Sequence, residues 1–183
     1  TWTSADGAAA VLHAEVRIVR SETLALAPGE WRDCAPGETG EIVVRGPITM
    51  LGYWERPEAT AETIRAGGWL VTGDLGAFDA EGFVTLTGRS KDMFISGGEN
   101  VYPRQIEATY EAHPDIVEIA VIGIPDARWG EVRRAYVALR AGAKLDANAL
   151  ISWGRERLAA FKVPATFVAI RELPRTASGK VQK

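Results

Sequence analysis

The chain has 183 residues, 46% of them hydrophobic and 25% charged, with a formal net charge of −3 at pH 7. Such a composition belongs to a globular protein, excludes disordered and fibrous classes, and lacks the basic excess of a nucleic-acid binder. A single cysteine, Cys34, excludes an internal disulfide and a thiol-rich metal cluster, and His13 and His113 stand in no metal-ligand spacing.

No apolar run reaches the roughly 18 residues of a membrane-crossing helix, and no secretory leader opens the chain. These features suit a reducing, cytoplasmic setting. The opening Thr1-Trp2, without an initiator Met, suggests a fragment.

Up to about residue 88 the chain reads as short strands joined by Gly- and Pro-rich turns. Val11–Arg20 alternates Ala14, Val16 and Ile18 with Glu15 and Arg17, the period of a half-buried strand. Glu41–Arg45 is a β-branched run bounded by Gly40 and Gly46. Pro57–Ala66 reads as a short helix, with Pro at its first position and Gly67-Gly68 past its end. Trp69–Thr72 and Gly82–Thr87 are strands, with the Asp79–Gly82 turn before the second. This half shows no clear core of its own and resembles the edge of a larger body.

Beyond Gly88 the pattern changes. Ser96-Gly97-Gly98 is a loop or turn, and Pro103 starts a helix whose Ile106 and Tyr110 share a face. Ile116–Gly123 and Arg133–Leu139 are strand-like. Asp146 caps a helix with the stripe Leu150, Gly154, Leu158 and Phe161, and Thr166–Ile170 is a final strand. The tail from Pro174 to Lys183 is polar and without a core-forming period, so a mobile segment is expected. The order β, α, β, β, α, β makes this half a compact α+β domain.

Several residues can carry chemistry, each with a plainer reading beside it. Lys180, after Gly179 on the polar tail, can bring a positive charge to a phosphate or carboxylate; alone it reads first as a solvated lysine. It is not a P-loop lysine, because Pro174 and Val181 stand where that motif needs Gly and Ser/Thr. Asp74, at a strand end beside Gly73, can accept from both hydroxyls of a ribose, or hold its own turn. Arg89 can fork onto a nucleotide, and Lys91-Asp92 can hinge two regimes, or all can form a surface turn. Gly97-Gly98 lets a slender ligand approach bare backbone, or simply turns the chain. Trp129 lines a channel or caps the core.

In order, GETGEIVVRGPITMLGYW, GWLVTGDLG, GRSKDMFISGGENVYPRQIE, HPDIVEIAVIGIPDARWGE and FKVP…LPRTASGK span residues 37 to 180. Together they resemble the adenylate-forming acyl-CoA synthetases, and the SGGENVYP wording is similar to their CoA-ligase branch. The resemblance implies an α+β fold: residues 1–88 as the β-rich end of a large AMP-binding domain, and residues 89–183 as a mobile C-terminal lid. It implies ATP, Mg²⁺ and coenzyme A as reactants with a carboxylic acid, and a missing N-terminal domain as the structural partner. An acyl-adenylate forms first; the lid then turns, and CoA takes the acyl group.

By the same resemblance Asp74 binds the ribose hydroxyls, Arg89 contacts the nucleotide, Lys91 is the hinge, Gly97, Gly98 and Trp129 line the pantetheine tunnel, and Lys180 serves adenylation. Ala165 departs from the pattern, standing where a basic residue often follows FKVP. The segment Ala27–Pro36 is longer than usual, and Thr1–Ala14 matches poorly. Two other functions fit the same features: an adenylation domain charging a carrier-protein thiol, and a non-catalytic remnant of the lid fold.

Overall fold

The computed structural model describes residues 14–183. The expected strand over 11–20 therefore lies partly outside the described residues. The chain divides into two compact units, one ending at Lys91 and one spanning Asp92–Lys183. Each is built around a five-stranded sheet, and among the described residues three α-helices accompany ten strands.

In the first unit, β1 (Glu15–Val19) pairs antiparallel with β2 (Gly40–Arg45), and β2 pairs with β4 (Trp69–Phe78). The two-residue β3 (Ile64–Arg65) and β5 (Val84–Arg89) both pair with β4. Helix α1 (Pro57–Thr63) begins on its proline as expected but ends early, where Ile64 turns extended to join the sheet. This unit does have a small core: Val19, Trp31, Val43 and Trp69 are buried together, with the two indoles edge to face at 6.3 Å. Trp31 comes from the long segment before Pro36, and its indole N–H donates to the Leu26 carbonyl at 3.1 Å. Arg45 stacks its guanidinium 4.6 Å from the Trp69 ring. This irregular segment thus supplies the aromatic that a strand-only reading leaves out.

The second unit opens with a hairpin, β6 (Phe94–Ser96) and β7 (Glu99–Val101), turning on Gly97-Gly98; the expected order has one strand before the helix and lacks the second. Helix α2 (Pro103–Glu111) follows, then the long antiparallel pair β8 (Ile116–Asp126) and β9 (Gly130–Leu139). Helix α3 (Ala147–Arg155) leads to β10 (Thr166–Ile170), which runs parallel to β9. Strand β8 pairs with β9 on one side only, so its other side is a sheet edge. Asp146 caps α3 as expected, its Oδ1 accepting from the Ala149 N–H at 3.0 Å. The helix stops at Arg155, so Leu158 and Phe161 fall in the turns beyond it and Phe161 is exposed.

The core joins Ile106 and Tyr110 of α2 to Val121, Val137, Leu150 and Phe167. Tyr110 is wholly buried, meets Phe167 edge to face at 5.4 Å, and donates its hydroxyl to the Leu150 carbonyl at 3.1 Å. Gly154 makes this possible: a Cβ there would stand 2.1 Å from the Tyr110 oxygen. Gly154→Ala should lower unfolding stability by about 1–2 kcal/mol net, because so close a clash puts overpacking at the upper end of about 1–3 kcal/mol and the helix-propensity gain returns only about 1 kcal/mol. Urea denaturation checks this; unchanged or raised stability would mean that Tyr110 relaxes freely.

Candidate functional site

The VTGD segment does not end a strand, as expected, but sits inside β4 as a bulge. Pairing runs Val43↔Val71 and then Glu41↔Leu75, leaving Ile42 opposite three residues, Thr72, Gly73 and Asp74. Gly73 adopts φ 76°, the left-handed geometry that makes such a bulge inexpensive. The Thr72 hydroxyl donates to the Ile42 carbonyl at 2.8 Å and accepts from the Asp74 N–H at 3.1 Å. Asp74 is thereby aimed across to its partner on β5, Arg89, whose Nε lies 3.0 Å from Asp74 Oδ1. Both side chains stay partly exposed, and Asp74 lines an open hollow of about 320 Å³ with Val44, Thr72, Val84 and Leu86. The two candidate nucleotide residues are thus brought together as a carboxylate–guanidinium pair.

Behind them lies a residue that the sequence reading missed. Glu41 is 1% exposed, and the Ser90 hydroxyl donates to its Oε2 at 2.7 Å. Its Oε1 has no hydrogen-bond partner among the described residues. Burial raises its pKa above the ordinary carboxylate value; the Ser90 hydroxyl and the Gly73 backbone oppose this, and nearby Asp74 adds to it. A charged residue within the EIVVR run was the available signal. Ser90 opens the single turn Ser90–Asp92, where Lys91 stands exposed at the end of the first unit. The compact units divide after Lys91, and the Ser90 hydrogen bond to Glu41 lies within the first unit.

In the second unit, Gly97, Gly98 and Trp129 form one feature. The Gly97 N–H donates to the Trp129 carbonyl at 2.9 Å, and a Cβ on Gly97 would lie 2.9 Å from the indole. Gly98, at φ 86° with open space around it, is required by the turn rather than by contact. Asp126 Oδ1 accepts from the N–H groups of Arg128 and Trp129, both at 2.9 Å, holding the half-exposed indole out over the hairpin. Arg133 donates to the Ser96 hydroxyl at 2.7 Å and to the Val163 carbonyl at 3.1 Å, tying the hairpin to the FKVP segment. Trp129 is a surface platform beside bare backbone, not a core cap.

Lys180 is exposed on a folded tail rather than a featureless one. Arg175 and Val181 form an antiparallel bridge, the Thr176 N–H donates to the Lys180 carbonyl at 2.8 Å, and the Gly179 N–H donates to the Thr176 carbonyl at 2.9 Å. Gly179, at φ 81°, completes the turn. Among the described residues no three His, Cys, Asp or Glu side chains cluster as metal ligands, and no helix is long and apolar enough to cross a membrane. Burial pushes the Cys34 thiol up to about 11, so it stays protonated at neutral pH.

Residues 105–180 match the AMP-binding enzyme C-terminal domain. The chain belongs to the adenylate-forming acyl-CoA synthetase family, as its C-terminal portion. It is 51% identical over 150 residues to the 2-succinylbenzoate–CoA ligase of Geobacillus kaustophilus, covering 82% of this chain and 30% of that protein. It is 49% identical over 148 residues to a feruloyl-CoA synthase of Amycolatopsis, covering 81% of this chain and 30% of that protein. The solved o-succinylbenzoate CoA synthetase of Bacillus subtilis, in complex with its acyl-adenylate intermediate, superposes with TM-score 0.82 at 40% identity, covering 93% of this chain and 33% of that one. The chain thus spans about 30% of the length of the curated relatives it matches.

The Glu41 observation gives a pH prediction. A carboxyl whose folded pKa is raised favours folding below its unfolded value, and that contribution is lost as pH rises through the folded value. Glu41→Gln removes this dependence. The variant's stability relative to the parent sequence should therefore increase as pH is raised from about 4 to 8, read by urea midpoints; a pH-independent difference would contradict the assignment.

Proposed function

We propose that this chain is the C-terminal part of an ATP-dependent carboxylic acid–CoA ligase, whose N-terminal domain supplies the acid pocket and most nucleotide contacts. One observation carries the reading. Relatives near 50% identity over this region are named as CoA ligases of chemically different acids, a succinylbenzoate and a ferulate. What such proteins share in this region is then the chemistry common to every acid, namely nucleotide handling and thiol delivery.

In the first step a carboxylate oxygen attacks the α-phosphorus of ATP, the bond to pyrophosphate breaks, and an acyl-adenylate forms. Asp74 accepts hydrogen bonds from the ribose hydroxyls, and Arg89 turns its fork of donors to the nucleotide. Lys180 presents its ammonium to the negative charge gathering between the carboxylate and the α-phosphate. Mg²⁺ arrives with the nucleotide's own phosphate oxygens. In the second step the CoA sulfur attacks the acyl carbon and AMP leaves with the bonding pair. Rotation at Lys91 withdraws Lys180 and brings Gly97, Gly98 and Trp129 to line the path of the pantetheine arm. All reactants are small polar molecules, in keeping with a cytoplasmic enzyme.

The geometry supports these roles. The Asp74–Arg89 pair is half-exposed, so a nucleotide can separate it without desolvating a buried charge. Gly97 lets the indole pack directly on the backbone and Gly98 leaves bare backbone open beside it, a surface that suits a slender arm. In a full-length ligase carrying these residues, Lys180→Ala should slow acid-dependent ATP–pyrophosphate exchange by about 10²–10³-fold, the usual effect of removing a positioned charge stabiliser. Exchange at the unaltered rate would favour a non-catalytic remnant.

A further inference from the structure

The tail hairpin carries three cations, and they are treated differently. Arg175 forms a fork: one nitrogen donates to Glu118 on β8, and Nη1 donates to the Gly179 carbonyl at 2.8 Å, immediately before Lys180. Lys183, on the far side of the turn, places its Nζ 2.6 Å from Glu107 Oε1. Glu107 is 5% exposed on α2, and the same oxygen accepts from the Val121 N–H at 2.8 Å. Of these three tail cations only Lys180, between the other two, has no carboxylate within ion-pairing distance among the described residues. Two staples on β8 and α2 thus flank one uncommitted ammonium.

We infer that Glu118 and Arg175, with Glu107 and Lys183 as the second staple, are positioning residues for adenylation, acting through the Gly179 carbonyl to fix where Lys180 stands. This rests on the proposed role of Lys180 and goes beyond it by naming what aims that lysine. A lysine side chain has many rotamers, and a mount that tilts by an ångström moves its charge off the reacting atoms; such misplacement costs up to about 10²-fold in rate. The Arg175–Glu118 pair is partly exposed, and ion pairs of that kind add little to stability. A large rate effect from its loss therefore reports position, not folding. The planar fork of arginine matters because one cation must hold a carboxylate and a carbonyl at once.

The test uses a full-length ligase containing these residues, assayed for acid-dependent ATP–pyrophosphate exchange and, separately, for thioester formation from supplied acyl-adenylate and CoA. Glu118→Lys, which repels Arg175, should lower kcat for exchange by about 10-fold or more with KM for ATP within about threefold, and leave thioester formation from the adenylate within about twofold. Glu118→Gln keeps an acceptor for Arg175 and should restore exchange to near the parent rate. Arg175→Lys holds only one of the two acceptors and should fall between them, which serves if Glu118→Lys does not fold. Lys180→Ala, run in parallel, separates the two ideas. If Lys180→Ala abolishes exchange while Glu118→Lys and Arg175→Lys exchange normally, the positioning inference fails and the functional reading stands. If Lys180→Ala exchanges normally, the functional reading fails and the inference with it. Equal loss of both half-reactions with a lowered melting temperature would make the staples structural only and overturn the inference.

Discussion

Among the described residues no strand satisfies the outer edge of β8, and the ion pairs that gather beside that edge are the ones we infer to set where Lys180 stands. An open edge invites unwanted pairing, and a buried donor left without an acceptor costs about 1–3 kcal/mol. Here Glu107 reaches from α2 to take the Val121 N–H, which places a carboxylate in a nearly dry setting. That carboxylate in turn calls for a cation, and Lys183 of the tail provides it. A tail with little apolar content is thereby held on the second unit by charge rather than by burial.

The same economy recurs at the other candidate residues: each is aimed by a departure from regular backbone. Gly73 allows the three-against-one bulge that turns Asp74 toward Arg89. Gly97 and Gly98 close a hairpin that brings bare backbone beneath Trp129. Gly179 turns the tail at Lys180. Such left-handed positions are unfavourable for most residues, and they persist where the surrounding hydrogen bonds fix them.

How much was legible in the sequence depended on whether the signal was local. The Asp146 cap, the Pro103 start of α2 and the alternation over β8 and β9 were readable because each rests on neighbours a few residues away. The candidate residues were legible only through their joint order, since Lys180 or Asp74 alone reads as an ordinary surface group. What escaped was long-range. Trp31 completes the core of the first unit from an irregular segment whose spacing carries no period. The partnership of Ser90 with Glu41 spans 49 positions, and Arg175 and Glu118 lie 57 apart. The tail read as mobile because its order comes from turn hydrogen bonds and ion pairs, which leave no hydrophobic pattern. Helix α3 was overextended because the stripe continues through turns after the helix has ended.

These features converge on one claim: a stapled hairpin presents the Lys180 ammonium to an adenylate held by the rest of a ligase. The most direct measurement is a crystal structure of a full-length ligase with these residues, bound to a non-hydrolysable acyl-adenylate analogue in the adenylating arrangement. The account predicts Lys180 Nζ about 3 Å from an oxygen of the group replacing the phosphate, with Arg175 still bridging Glu118 and the Gly179 carbonyl. An occupied site in that arrangement with Lys180 turned to solvent would contradict it.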